Sequence, residues 1–230
     1  MISVSISEEV ATACPDLHVL VLSCDVCNSK PDERLWQEIA DEEKTVRETV
    51  KLEQINKWLP IQATRQAYKR LGKDPNRYRP SAEALRRRIL RELPLYKVDT
   101  LVDLINLVSI RSGYSIGGFD ADKIAGGSLV LGVGKEGEMY RGIGRGELNI
   151  AGLPVYRDAV GGVGTPTSDE ERTKIGLETV RLLMIINGYS GADGLESAGN
   201  HAAALLSKYV SATNMEAELV TAKNRRKIVL

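Results

Sequence analysis

Fifteen of the 21 glycines fall between Gly113 and Gly164, and that concentration limits the fold more than any other feature of the chain. Glycine weakens helices but permits bulges, tight turns and close backbone approach, so this stretch reads as a twisted sheet cut by short turns. SLVLGVGKEGEMYRGI (128–143) predicts a hairpin turning near Glu136-Gly137, and LNIAGLPVYRDAV (148–160) predicts one or two further strands. Helices do not alternate with these strands, which argues against a doubly wound parallel sheet. GVGKEG lacks the Gly-Lys-Ser/Thr ending of a phosphate loop.

The flanks supply the remaining elements. MISVSISEEV alternates like a short strand, and the apolar run Leu17–Val26 reads as a buried one. Pro31–Trp58 is helical in pattern, with Leu35, Ile39, Val46, Val50, Leu52 and Ile55 as its stripe, and Pro60 ends it. A short helix follows over Ile61–Leu71, and Ser81 is placed to cap the next, SAEALRRRILREL. Asp99-Thr100 opens TLVDLINLVSI, in which Leu101, Leu104, Ile105 and Val108 share a face and Gly113 is the stop. Leu177–Ile186 predicts an apolar helix ending at Asn187-Gly188, Ser197–Val210 a last helix, and the tail a final strand with a basic end.

At 230 residues, 43% hydrophobic and 27% charged, the chain has the makings of a globular core. Residues 1–60 are expected to pack as an N-terminal strand and helices on a core formed by 61–230, in one compact domain. Lys+Arg and Asp+Glu both total 31, so no global field draws in nucleic acid; a local patch must do so. Aromatic content of 5% argues against a stacked-base RNA face. No segment has the length and apolarity of a membrane span and no leader is visible, so the expected setting is cytoplasmic, with no membrane partner. Cys24 and Cys27 form a CxxC without a second pair or paired histidines, so they read as small buried thiols before a redox or metal pair, and no cofactor or metal is expected.

Three polar clusters stand out. The first is GGVGTPTSDEERT (161–173), a glycine turn running through Pro166 into a helix-start signal at Thr167 or Ser168, followed by Asp169, Glu170 and Glu171. It is either a capped helix after a surface turn or a site where outward N–H groups at Gly161, Gly162 and Gly164, with Thr165, Ser168, Arg172 and Thr173, meet an anionic or polar ligand. The second is Asp103 and Asn106, three apart on a mostly apolar helix. They need a polar partner, or Asp103 belongs to a Thr100-x-x-Asp103 capping box. The third is the basic stretch of Arg65, Lys69, Arg70, Lys73, Arg77, Arg79, Arg87, Arg88 and Arg91, which either tracks a phosphate backbone or is a solvated face.

RLGKDPNRYRPSAEALRRRIL, VDTLVDLINLVSI, SIGGFDADKIAGGSLVLGVG and LPVYRDAVGGVGTPTSDEERTKI, in this order and spacing, resemble the editing domain of the phenylalanyl-tRNA synthetase beta subunit. The resemblance covers roughly Arg65–Asn187 and looks like a free-standing form of that module. It implies an α+β fold with a sandwich-like mixed sheet core flanked by helices. It also implies hydrolysis of a misacylated aminoacyl-tRNA ester, as in translation fidelity, with the basic helices gripping the tRNA acceptor end through Arg77, Arg79, Arg87, Arg88 and Arg91.

Carried over residue by residue, the family's pocket asparagine falls on Asn106 and its glycine pair on Gly161-Gly162. Its histidine falls on Gly117 and is therefore missing here, and Asp169 is the carboxylate nearest the family's acidic position. Asp169, Arg172, Thr173 and Asn106 are the implied catalytic groups, and Asp103, Gly117, Gly161, Gly162, Gly164, Thr165 and Ser168 line the implied substrate site. Loss of the histidine keeps a second reading open. In that reading the chain is a non-catalytic module that binds a free amino acid, a small ligand or RNA; protein partners are left open.

Overall fold

A computed structural model describes residues 1–230. In chain order the elements are β1 (Ser3–Ile6), α1 (Glu8–Ala13), β2 (His18–Asp25), α2 (Glu33–Thr49), α3 (Leu59–Arg70), α4 (Ser81–Leu90), α5 (Thr100–Ser112), β3 (Ile116–Asp120), β4 (Ser128–Val133), β5 (Arg141–Gly142), β6 (Gly146–Glu147), β7 (Pro154–Arg157), β8 (Gly162–Gly164), β9 (Arg181–Gly188), α6 (Leu195–Val210), β10 (Thr213–Val220) and β11 (Arg225–Ile228). This is the α+β arrangement expected, with two main sheets, the small β5-β6 ribbon and flanking helices.

The larger sheet is antiparallel in the order β11-β10-β2-β9-β3. The smaller runs β1-β4-β7-β8, parallel only between β1 and β4. Period-two alternation divides the larger sheet's side chains between two cores. Val19, Val21, Leu183 and Ile185 meet Val4, Leu129, Leu131, Tyr156 and Val163 of the smaller sheet. Leu20, Leu22, Leu182, Met184 and Ile186 face Leu35, Ile39, Leu101, Leu104, Val108 and Leu206 from α2, α5 and α6. The layers are thus helices, large sheet, small sheet.

Several expectations are corrected. The run 177–186 is not a helix: a turn leads into the strand β9 at Arg181, and both faces of β9 are buried, so it carries no alternation by which to tell the two apart. The hairpin expected at Glu136-Gly137 does not form, because β4 pairs with β1 and β7 instead. The helix expected over 31–58 ends at Thr49 and is followed by a 3-10 turn over Leu52–Lys57. The initial strand stops at Ile6, where Ser7 caps α1. Pro80, not Ser81, is the N-cap of α4. The last helix begins at Leu195, two residues before Ser197.

The helix that positions the site is α5. Asp99 caps it by accepting the Val102 N–H at 2.9 Å, so the Thr100–Asp103 capping box is not formed. Gly113 ends it at φ +76°, where a Cβ would stand 2.5 Å from the Trp58 ring. One edge of α5 enters the core; the other, Val102, Ile105, Asn106 and Ser109, turns towards β3 and the loop after β8. No helix is long and apolar enough to cross a membrane. Cys24 is buried in β2, where burial pushes its thiol up to about 12, while Cys27 is exposed.

Candidate functional site

The 161–173 stretch folds as a closed turn, not as a capped helix. Thr165 Oγ1 accepts the Thr167 and Ser168 N–H groups at 3.2 and 3.0 Å. Tyr140 donates to Ser168 O at 2.7 Å, and the Pro166 carbonyl takes the Ser81 N–H at 2.8 Å. Only a 3-10 turn over Glu171–Thr173 follows.

The anion nest expected at the glycines is already filled by the protein. Asp158 accepts the Val160 and Gly161 N–H groups at 2.9 and 3.0 Å. Gly162 and Gly164 lie in β8, where a Cβ would meet Tyr140 at 2.8 Å and Phe119 at 2.4 Å. These glycines therefore allow close packing rather than ligand approach.

Arg172 grips Asp158 with both terminal nitrogens, at 2.8 and 2.9 Å. Burial works to raise the Asp158 pKa, but the Arg172 fork and three backbone N–H groups hold it down at about 2. Thr173 is fully buried and its Oγ1 has no partner. Arg172 and Thr173 are therefore structural in this arrangement, away from the cavity described next.

That cavity, of about 350 Å³, lies between α5, β3 and the loop after β8. Asn106 lines it from α5, and Thr165, Ser168 and Asp169 from the loop, so two clusters far apart in sequence share one space. Asp103, Gly117, Gly161, Gly162, Gly164, Arg172 and Thr173 do not line it. Asp103 turns the other way: its carboxylate accepts Trp36 Nε1 at 2.7 Å and the Val98 N–H at 3.1 Å, and burial raises its pKa. Asn106 is half-buried and makes no side-chain hydrogen bond within the protein.

Asp169 is the group with chemical potential. Its Oδ2 accepts the Gly118 N–H at 3.3 Å. Its Oδ1 occupies a slot kept open by glycine, since a Cβ on Gly164 would stand 2.8 Å away and one on Gly117 3.6 Å away. Burial pushes the carboxyl up to about 8 against the small opposing effect of the Gly118 N–H. A carboxyl titrating near neutrality in a cavity is suited to general base or acid work. Lys174 also lines the cavity, but its Nζ is tied to Glu171 at 2.6 Å.

A second depression, of about 450 Å³, shares Ser81, Val98 and Asn106 with the first. Arg79, Arg87, Arg88, Arg91 and Arg145 line it, with Tyr96 beneath the Arg88 guanidinium at 4.2 Å. Four of the five expected RNA-contacting arginines are here; Arg77 is not, and lies over Tyr78 at 5.7 Å. Arg65 and Lys73 of the same basic stretch are internal fasteners, on Glu83 at 2.8 Å and on the Asn149 carbonyl at 2.8 Å. Arg145 escapes sequence reasoning because it lies in the glycine-rich segment, more than fifty residues from the basic helix, and Gly118 and Ser81 carry no signal as wall residues.

The family described as B3/4 domain matches residues 63–221. The chain is similar in fold to an N-terminal fragment of the phenylalanyl-tRNA synthetase beta subunit from Pyrococcus horikoshii, with a TM-score of 0.52 and 14% identity. The match covers 98% of this chain and 53% of that fragment, so the chain spans about half of its length. No curated protein matches.

Proposed function

The chain belongs to the B3/4 domain family, and from that premise we propose that it acts on the aminoacyl end of a tRNA, hydrolysing the ester of a misacylated or non-standard aminoacyl-tRNA. The observation that carries the reading is the shared wall. An arginine-lined depression suited to phosphates shares Ser81, Val98 and Asn106 with the neighbouring cavity that holds the Asp169 carboxyl. A nucleic acid strand in the first would set its terminal ester at the entrance of the second.

In this scheme Asp169 takes a proton from water as the water oxygen attacks the ester carbonyl carbon. The tetrahedral oxyanion receives the free Asn106 amide N–H. On collapse the bond to the ribose oxygen breaks and that oxygen takes the proton. The products are the free amino acid and tRNA with its terminal hydroxyl restored. The tRNA's adjacent ribose hydroxyl is available to assist.

The test is incubation of the purified protein with a panel of mischarged tRNAs, including tyrosine on the phenylalanine tRNA. Faster deacylation than in buffer is expected for at least one pair; none faster removes the hydrolase reading. Binding without hydrolysis is the second reading: Arg172 is committed to Asp158, and the resemblance puts Gly117 where the family has its histidine. Amino-acid or tRNA binding without turnover would support it.

Arg91 and Arg145 are both exposed and neither has an ion-pair partner. Arg91→Glu together with Arg145→Glu is expected to weaken tRNA binding at least tenfold at about 0.1 M salt. The dependence of log K on log salt should become shallower by about 2, with thermal stability unchanged. Filter binding across a salt series checks this, and an unchanged slope would remove the depression from the RNA path.

A further inference from the structure

We propose that the cavity selects an unblocked α-amino acid group with an aliphatic side chain, its ammonium beside Asp169 Oδ1 while Oδ2 is left to the attacking water, and its hydrocarbon against Val102, Ile105, Ile116 and Ile175. This rests on the aminoacyl reading above and names its substrate class.

The polar inventory of the wall supports the ammonium half. An ammonium has only donors to offer and requires an acceptor of opposite charge. Asp169 is the one carboxylate among the lining residues, and its Oδ1 accepts no hydrogen bond within the protein. The one lining cation, Lys174, is held by Glu171 at 2.6 Å, so an acidic side chain finds no free counter-charge. A second positive charge, as on a lysyl group, finds no second carboxylate. Acylation of the amine removes the charge that pairs with Asp169.

The apolar half is equally specific. All six hydrophobic lining residues are aliphatic: Val98, Val102, Ile105, Ile116, Ile143 and Ile175. Ser109, at the inner end of the α5 stripe, already donates its hydroxyl to the Tyr114 carbonyl at 2.7 Å. The one free amide of the wall, Asn106, is engaged by the ester in the scheme above, so a phenol packed against the aliphatic residues has to compete for it or bury its O–H unpaired. Gly118 holds the space open at this end: a Cβ there would stand 2.6 Å from Ile105 Cδ1 and 3.0 Å from Ile175 Cδ1. Aliphatic surface against aliphatic surface supplies affinity through the area removed from water.

Calorimetric titration of the full chain with amino-acid amides, which carry no carboxylate and mimic the ester, is the experiment. L-leucinamide is expected to bind at least tenfold more tightly than L-tyrosinamide or L-lysinamide, and N-acetyl-L-leucinamide to give no binding heat. Asp169→Asn should weaken leucinamide at least tenfold. Val102→Phe, on the half-buried outer part of the wall, should weaken it similarly, with circular dichroism confirming that both variants fold. Tighter binding of tyrosinamide, equal binding of the acetylated amide, or no amide binding by a chain that still deacylates tRNA would each overturn this inference while leaving the proposed function standing. No amide binding together with no deacylation of any ester would overturn both.

Discussion

Asp169→Asn is expected to yield a protein that is more stable than the parent at pH 8 and catalytically silent. The parent carboxyl titrates at about 8 when folded and near 4 in an unfolded chain. Folding therefore takes up a proton between those values, and the contribution of this group to stability declines as pH rises from about 4 to about 8. The whole displacement would correspond to roughly 5 kcal/mol at about 1.36 kcal/mol per pH unit. Asp169 keeps partial solvent contact along the cavity, which lowers the figure to about 2–3 kcal/mol.

The other ionisable groups on this side do little to offset it. Lys174 is paired with Glu171, and Tyr140 is buried with its hydroxyl on Ser168 O. An asparagine removes the buried charge and flattens the profile. Urea denaturation at pH 5 and pH 8 checks this: parent stability falls between the two, and that of the variant does not. Deacylation should drop at least about 100-fold with the loss of the base. A variant no more stable than the parent at pH 8 would mean that the carboxylate is well solvated when charged, and its candidacy as a base would go with that result. A site that weakens its own fold is a common signature of function.

What the residues reveal without the fold divides along a physical line. Short-range signals are legible: the Leu17–Val26 strand, the helix opened by Asp99, and its stop at Gly113 all follow from local pattern and backbone preference. Asn106 stands out because an amide on an apolar helix demands an explanation, and its place on the cavity wall is one. Asp103 raises the same question, but its partner is Trp36, a residue 67 positions away that no periodicity could indicate. Arg172 and Thr173 look like chemistry beside a glycine turn. The bidentate bond to Asp158 and the burial of Thr173 are properties of chain crossing, which local sequence does not encode. Strand β9 is illegible for the opposite reason, since a run buried on both faces erases the alternation that marks a strand.

Removal of the Glu83 carboxylate should be strongly destabilising. Glu83 is 0% exposed in α4, yet it accepts from Arg65 at 2.8 Å and from Arg87 at 2.7 Å, with Arg79 at 3.8 Å. Arg65 also donates to the Pro75 carbonyl and Asn76 Oδ1, so one buried anion ties α3, the turn after it and α4 together. Glu83→Ala leaves the Arg65 and Arg87 guanidinium groups, 12% and 18% exposed, without their counter-charge. Breaking one side of such a buried cluster costs about 3–5 kcal/mol, more than the pair contributes relative to an apolar replacement. Glu83→Gln keeps the shape and one acceptor and should lose about half as much. A double-mutant cycle with Arg65→Met separates the two causes, because the second substitution should recover part of the loss if the stranded charge is responsible. The same cluster sets Arg79 and Arg87 on the wall of the arginine depression. Glu83→Gln should accordingly alter tRNA affinity at temperatures where the chain is fully folded, whereas a change in the β9 core at least as destabilising, such as Ile185→Ala, should not. Equal tRNA binding by both would reduce Glu83 to a structural fastener and detach the wall of the depression from its buried support.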